Sequence, residues 1–380
     1  MLKFKQWLKT RQGRLLMKSF FITLIILTII VVVGVLFWNR LRRPPEIRPM
    51  EPIQVLPTNP YNDDDNDNND NDPIISDNEN DNDPLPEFRW PAPERFTDDN
   101  RRPYFYTFLI IGLNEGYNAN TVMVASYCHI AREANIVSIP RDVAMRQTGN
   151  ARKLSSSFLL GMRNGGGISG GVQQVQLDVL NTIGFVPDYY VVIDYEAFFT
   201  IIDTIGGVDI YVPVRMLYED PYQNLFIDIM PGMHYGMDSQ TALNFVRFRR
   251  TNHWTPYPGI SDFQRIQNQQ ALVQAVINQL LRPQNLLRLH DFVSIFNESV
   301  HTDIGILDAT FFAFELNDIR RAEGDTTDAL STTYLRPVAT SNCGLYLEFL
   351  SPANVLEIVN SMLNPFDQDI ELRDLRIVVQ

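Results

Sequence analysis

The sequence predicts a layered α/β domain, with a mixed central sheet flanked by helices, carried on a single N-terminal transmembrane helix. Three features lead to that expectation. An uncharged apolar run of 20 residues lies near the start, an acidic low-complexity stretch follows it, and short apolar runs then alternate with amphipathic ones from about residue 104. Such alternation suits a layered α/β fold, because each face of a sheet must be covered by helices.

In chain order, residues 1–18 form a basic segment with Lys3, Lys5, Lys9, Arg11, Arg14 and Lys18 and no acid. Ser19 to Trp38 then carry no charge. Twenty helical residues at ~1.5 Å each reach ~30 Å, the thickness of a bilayer's hydrocarbon core. A cleaved signal peptide would have a shorter apolar region and a small-residue cleavage site, whereas Asn39-Arg40-Leu41-Arg42-Arg43 follows here. The excess of positive charge before the span places the N-terminus in the cytoplasm, with a single pass through the cell membrane and an extracytoplasmic body.

Residues 39–103 read as a disordered Asn/Asp/Pro-rich linker. Ten of the 22 residues from 62 to 83 are acidic; they repel one another and leave little apolar surface to bury. Asp63, Asp65 and Asp67 alternate as in a calcium loop, but the turn glycine and closing glutamate are missing, so a solvated spacer is the expectation.

The folded body is expected over 104–285. FYTFLIIGL at 105–113 is a short apolar run suited to a strand buried on both faces. TVMVASYCHI and NIVSIPRD read as two more strands. Val172, Val175, Val179 and Ile183 recur at helical spacing. YYVVID is a strand, and the helix after it carries Phe198, Ile201, Ile202 and Ile205 before Gly206-Gly207 stop it. A short helix over 237–246, with Asp238 or Ser239 as cap, and a longer one over 261–281 complete the domain. Residues 286–380 form a C-terminal extension expected to pack on the same domain, with a helix around 307–322.

Composition excludes several classes. The 380 residues hold 32 Lys+Arg against 45 Asp+Glu, a net charge of −13, which disfavours a nucleic-acid binder. With Cys128 and Cys343 alone there is no disulfide scaffold, and Cys128 falls in a predicted buried strand, which favours a free thiol. The histidines at 129, 234, 253, 290 and 301 form no HExxH or Cys/His cluster. Gly165, Gly167 and Gly170 match GxGxxG in number but follow a polar stretch rather than a strand. There is no P-loop and no GxSxG elbow.

Arginine at corners stands out instead. Arg141 sits in Ser138-Ile139-Pro140-Arg141-Asp142, where proline stops a strand. Arg247, Arg249 and Arg250 follow the short helix; if 245–250 is extended, 247 and 249 point one way, with Phe248 and Arg250 opposite. Arg265 and Gln269, four apart, share a helix face. These groups could converge on an anion with several oxygens, or pair separately with carboxylates such as Asp142 and Asp262.

From about Phe108 to Leu281 the chain resembles the LytR-CpsA-Psr family of cell-wall glycopolymer transferases. The resemblance rests on Ile111-Gly112-Leu113-Asn114, Asn120-Thr121-Val122, SIPRD at 138–142, Lys153, Asp194 with Phe198, GGV at 206–208, PGMHYGMDSQTALNFVRFR at 231–249, and Asp262, Arg265, Gln269 and Gln270. It implies a membrane-anchored phosphotransferase of the bacterial envelope. Such an enzyme moves a glycopolymer from a polyprenyl-pyrophosphate carrier to peptidoglycan or another wall acceptor. It implies catalytic roles for Arg141 and Arg249, pyrophosphate binding by Arg141, Lys153, Arg247, Arg249, Arg265 and Gln269, and a lipid pocket near Phe198 and Ile202.

The family pattern places two aspartates that hold Mg²⁺ where this chain has Asn114 and Asn120, and an arginine where it has Asn268. An amide oxygen can still ligate a hard cation but brings it no charge and cannot take a proton; with Glu115 adjacent as a substitute, the resemblance implies a weakened Mg²⁺ site. The alternative expectation is therefore a catalytically weakened scaffold or sensor that binds polyprenyl (pyro)phosphate.

Overall fold

The computed structural model describes residues 40, 42–47, 49 and 95–378, apart from 147–151, 224, 253–254, 287–299, 323–329 and 342–344. The predicted span at 19–38, the basic segment before it, most of the linker and Cys343 lie outside the described residues. Among the described residues no helix is long and apolar enough to cross a membrane. Residues 305–315 group with the described residues up to Glu46 as a small unit; the remainder forms the larger unit that holds the sheet.

Three strands, β1 (Phe105–Leu113), β2 (Ala119–Cys128) and β3 (Glu133–Ile139), make an antiparallel meander. A small hairpin of β4 (Ala144–Met145) and β5 (Arg152–Lys153) follows, then helices α1 (Ser157–Gly161) and α2 (Gly167–Ile183). This crossover returns the chain to β6 (Tyr189–Ile193), which pairs parallel to β1. Next come α3 (Tyr195–Thr204) and strands β7 (Val208–Val212), β8 (Met216–Asp220), β9 (Leu225–Ile229) and β10 (Gly232–Met237). Helices α4 (Ser239–Arg247) and α5 (Asp262–Leu280) complete the segment that carries the arginines. After them lie β11 (His301–Thr302), α6 (Ile306–Ala322), β12 (Leu330–Tyr334), β13 (Pro337–Ser341), β14 (Leu347–Leu350) and α7 (Pro352–Ile358). The central sheet runs β11-β6-β1-β2-β3-β12. With β6 parallel to β1, β12 parallel to β3 and the other pairs antiparallel, it is the mixed sheet the sequence predicts.

The described residues form two large cores and a smaller cluster at Ala144, Leu347 and Phe349. On β1, Leu109, Ile111 and Leu113 face one core together with Val172, Val175, Val179 and Ile183 of α2 and Val355 of α7. The helical spacing thus reports the packed face of α2. The other core gathers Ile202, Ile205, Val208, Phe245 and Phe248. Because side chains alternate along a strand, Phe108, Ile110 and Gly112 turn to the opposite side of the sheet, where they are half-buried.

Gly161 and Gly171, on either side of the Gly165, Gly167 and Gly170 run, serve packing. No strand precedes that run: Met162–Gly166 is a π-helical turn running straight into α2. A Cβ on Gly161 would lie 2.1 Å from the Gly170 carbonyl oxygen, and one on Gly171 would lie 2.8 Å from the Phe158 ring. These glycines let α1 and α2 touch, which sets aside the dinucleotide fingerprint and starts α2 five residues before Val172.

Candidate functional site

The site is assembled at the ends of strands. At the close of β3, Pro140 offers no N–H to continue the ladder, and Arg141 follows in a turn. Its carbonyl accepts from Ser155 N at 2.9 Å, which fastens the corner. Arg141 Nη1 donates to Asn120 Oδ1 at the start of β2, 3.1 Å away, and its Nε lies 3.6 Å from Asp142 Oδ2.

Helix α4 aims the next arginines. Asp238 caps it by accepting from Thr241 N at 2.8 Å, and its last residue is Arg247. The 245–250 stretch is therefore not continuously extended. The backbone turns extended at Phe248, whose side chain is buried in the core, so Arg247, Arg249 and Arg250 all line one cavity instead of dividing between two sides. Gly259 permits this path. Ile260 N bonds to Arg249 O at 2.9 Å, and a Cβ on Gly259 would stand 2.9 Å from both Arg249 O and Arg250 Cα.

Arg265 and Gln269, one turn apart on α5, line the same cavity, as their spacing predicts. Asp262 bridges the group: it accepts from Arg249 Nη2 at 2.8 Å and lies 3.0 Å from Arg265 Nη2. Pairing and convergence thus coexist: Arg249 and Arg265 pair with Asp262 and Arg141 with Asp142, while all three line one cavity. Arg265 is 7% exposed, and burial pulls its pKa down to about 10, with Arg141 and Arg249 adding repulsion against the attraction of Asp262. A buried cation repelled by two neighbours is an electrostatic cradle for an anion. Among the described residues the buried Nε atoms of Arg141 and Arg265, and Nδ2 of Asn268, meet no hydrogen-bond acceptor.

Beneath the arginines the cavity holds about 840 Å³. Ile110 and Met123 from the second face of the sheet form one wall, and Phe198, Leu243, Val246 and Leu272 form another. Of the two residues expected to wall a lipid pocket, Phe198 lines the cavity. Ile202 does not: it is fully buried one turn further along α3, packed in the core rather than lining the cavity. Lys153 is also absent from the lining. Its ammonium lies 2.8 Å from Asp142 Oδ1 and 5.6 Å from the Tyr346 ring centroid, so it neutralises the carboxylate beside Arg141.

Three participants escape the sequence reading. Arg250 reaches the cavity and donates to Tyr218 Oη at 3.3 Å. Tyr195 lines it beneath the guanidinium of Arg247, 5.4 Å from the ring centroid. Burial raises the Tyr195 pKa, against the lowering by Arg247 and with a further rise from Glu115. Tyr195 is therefore a neutral hydrogen-bond donor, and Glu115 lies close enough to influence it. The sheet-side wall had one signal in the sequence, a β1 run apolar on both faces.

Both asparagine oxygens are already engaged, and neither brings charge to a divalent cation. Asn114 Oδ1 accepts from Gly116 N at 3.0 Å and Asn118 N at 2.9 Å, which engages both lone pairs of the oxygen in holding its own loop. Asn120 Oδ1 faces the Arg141 guanidinium. Magnesium favours carboxylate oxygens in an octahedral shell, and among the described residues no three His, Cys, Asp or Glu side chains gather around such a position.

Comparison with known proteins gives the fold's relatives. The LytR_cpsA_psr family profile matches residues 97–361. The Regulatory protein MsrR of Staphylococcus aureus (strain COL) is 22% identical over 203 residues, which is 52% of this chain and 56% of that protein. A Bacillus subtilis (strain 168) protein, Polyisoprenyl-teichoic acid--peptidoglycan teichoic acid transferase TagV, is 25% identical over 177 residues, 45% of this chain and 41% of that protein. The chain thus spans about half the length of the curated relatives it matches. The crystal structure of B. subtilis TagV aligns with a TM-score of 0.54 at 18% identity, over 68% of this chain and 96% of that one. TagT bound to LIIa-WTA aligns at 0.53 and 17% identity, over 70% and 92%. At these identities the structural likeness speaks to the fold.

Proposed function

Because the chain belongs to the LytR_cpsA_psr family, we propose that it is a phosphotransferase of envelope assembly, moving a teichoic-acid-like glycopolymer from a polyprenyl-pyrophosphate carrier to peptidoglycan or another wall acceptor. One observation carries this reading: five guanidiniums, from Arg141, Arg247, Arg249, Arg250 and Arg265, rim a single cavity with apolar walls. The prenyl chain occupies the apolar part and the diphosphate meets the arginines. The acceptor hydroxyl oxygen forms a bond to the phosphorus that bears the glycopolymer while that phosphorus releases the bridging oxygen, so that polyprenyl monophosphate departs. Phosphoryl transfer of this kind depends mainly on positioning and on neutralising charge. Arg141 and Arg249 hold the phosphate oxygens most directly concerned, and Glu115, an exposed carboxylate whose charge reaches Tyr195 in the cavity lining, takes the hydroxyl proton.

A second reading is favoured by the asparagines, whose amides can neither take a proton nor supply charge: a scaffold or sensor that holds polyprenyl (pyro)phosphate without turnover. Incubating the full chain with polyprenyl-pyrophosphate-linked glycopolymer and peptidoglycan separates the two. Polymer bound to the wall, lost in Arg141→Gln and strongly reduced in Glu115→Gln with lipid binding kept, supports the transferase. Retained lipid binding with no transfer supports the scaffold.

The apolar run at 19–38 and the basic residues before it support a single-pass anchor with the body outside the cytoplasmic membrane. Protease added to intact cells is expected to degrade residues 95–378; full protection of the body would overturn that orientation.

A further inference from the structure

We propose that this chain grips its diphosphate without a divalent cation, with the guanidinium of Arg141, seated on the Asn120 amide, supplying the positive charge in the metal's place. The inference rests on the diphosphate-binding part of the reading above and holds for either of its forms.

The geometry leads there through charge. Carboxylates at 114 and 120 would put two negative charges beside a ligand that is itself polyanionic, and a divalent ion would then be needed to hold them together. Amides remove the repulsion. Asn114 Oδ1 is fastened to the backbone of its own loop at 3.0 and 2.9 Å, so the residue keeps a structural role that needs no ion. Asn120 Oδ1 orients Arg141 at 3.1 Å. That bond makes the position a support for a cation that belongs to the protein. The positive charge is already concentrated: Arg141, Arg249 and Arg265 share the cavity, Asp262 holds two of them in register, and Lys153 offsets Asp142. Buried Nε donors on Arg141 and Arg265, which find no acceptor among the described residues, are what an incoming phosphate oxygen would satisfy. Planar guanidiniums suit that role because they offer paired N–H donors to a phosphate.

The test is calorimetric titration of farnesyl pyrophosphate into the full chain in detergent, once in EDTA and once in excess Mg²⁺. The expected result is a Kd that changes less than ~3-fold between the two, about 0.65 kcal/mol at RT ln 3. In N114D/N120D, which preserves side-chain shape and the loop's acceptor, affinity is expected to fall at least ~10-fold in EDTA, about 1.4 kcal/mol, and to recover with Mg²⁺. Arg141→Gln is expected to lose binding in both buffers. Wild-type binding that vanishes in EDTA and returns with Mg²⁺ overturns the metal-free site while leaving diphosphate recognition intact. No binding in either buffer overturns both. A folded N114D/N120D variant that binds equally well in EDTA overturns the charge argument, and circular dichroism establishes that it is folded.

Discussion

At the scale of single residues, Arg265 concentrates the physics of the site. It is buried, repelled by Arg141 and Arg249, and restrained by Asp262. A charge-assisted hydrogen bond to an anion contributes roughly 1.5–3 kcal/mol. Arg265→Gln is therefore expected to weaken farnesyl pyrophosphate binding about 10- to 100-fold by calorimetry, and Arg265→Lys to recover little, because an ammonium lacks the paired donors. Glu348 behaves differently. It is buried beside the same network, with Tyr346 Oη donating to its Oε1 from 3.2 Å. Burial raises its pKa; the Tyr346 bond opposes this, Asp142 and Asp262 add to it, and Arg265 lowers it. The folded protein thus holds this proton to higher pH than the unfolded chain. Stability is expected to fall as pH climbs from the ordinary value of 4.5 through the raised one, then to level off. Glu348→Gln should remove that slope, so thermal melts across the window should show the variant gaining on the wild type as pH rises. Parallel curves would count against the shift.

At the scale of elements, function depends on where α4 ends. The 245–250 stretch reads as a strand if Phe248 is placed by alternation, because period-two reasoning cannot see a helix end. Asp238 and the burial of Phe248 decide the matter: the helix runs to Arg247, and the apolar anchor at 248 leaves its neighbours on the cavity side. Gly259 then admits the returning chain against the backbone of Arg249 and Arg250. Those are backbone atoms and cannot swing aside, so Gly259→Ala is expected to destabilise the protein by about 1–3 kcal/mol. It should also displace the arginines, weakening diphosphate binding beyond what the stability loss explains. Unchanged binding alongside a lowered Tm would separate the path of this segment from the site. Alternation and helical spacing did report the central strands and α2, because those patterns express burial on one side of an element, and burial is what the fold requires of them.

At the scale of the whole molecule, one sheet serves two purposes. Leu109 and Ile111 close a core, while Ile110, between them, opens onto the cavity. Filling the cavity side should spare the core. Ile110→Trp is expected to leave Tm nearly unchanged while reducing farnesyl pyrophosphate affinity at least ~10-fold, and inorganic pyrophosphate affinity much less, since the arginines remain. Equal losses for both ligands would place the prenyl chain elsewhere.

The sequence by itself determined the α/β class, the order of the main strands and helices, the corner at Arg141 and the shared face of Arg265 and Gln269. Each follows from local rules: the period of apolar residues, a proline at a strand end, one turn of helix between two side chains. Only the tertiary structure decided that Arg250 joins the site, that Lys153 turns to Asp142 and Ile202 to the core, and that Asn114 and Asn120 are tied to a loop and an arginine. Those outcomes depend on which groups distant in the chain meet once the chain is packed, and such meetings leave no local periodicity to read.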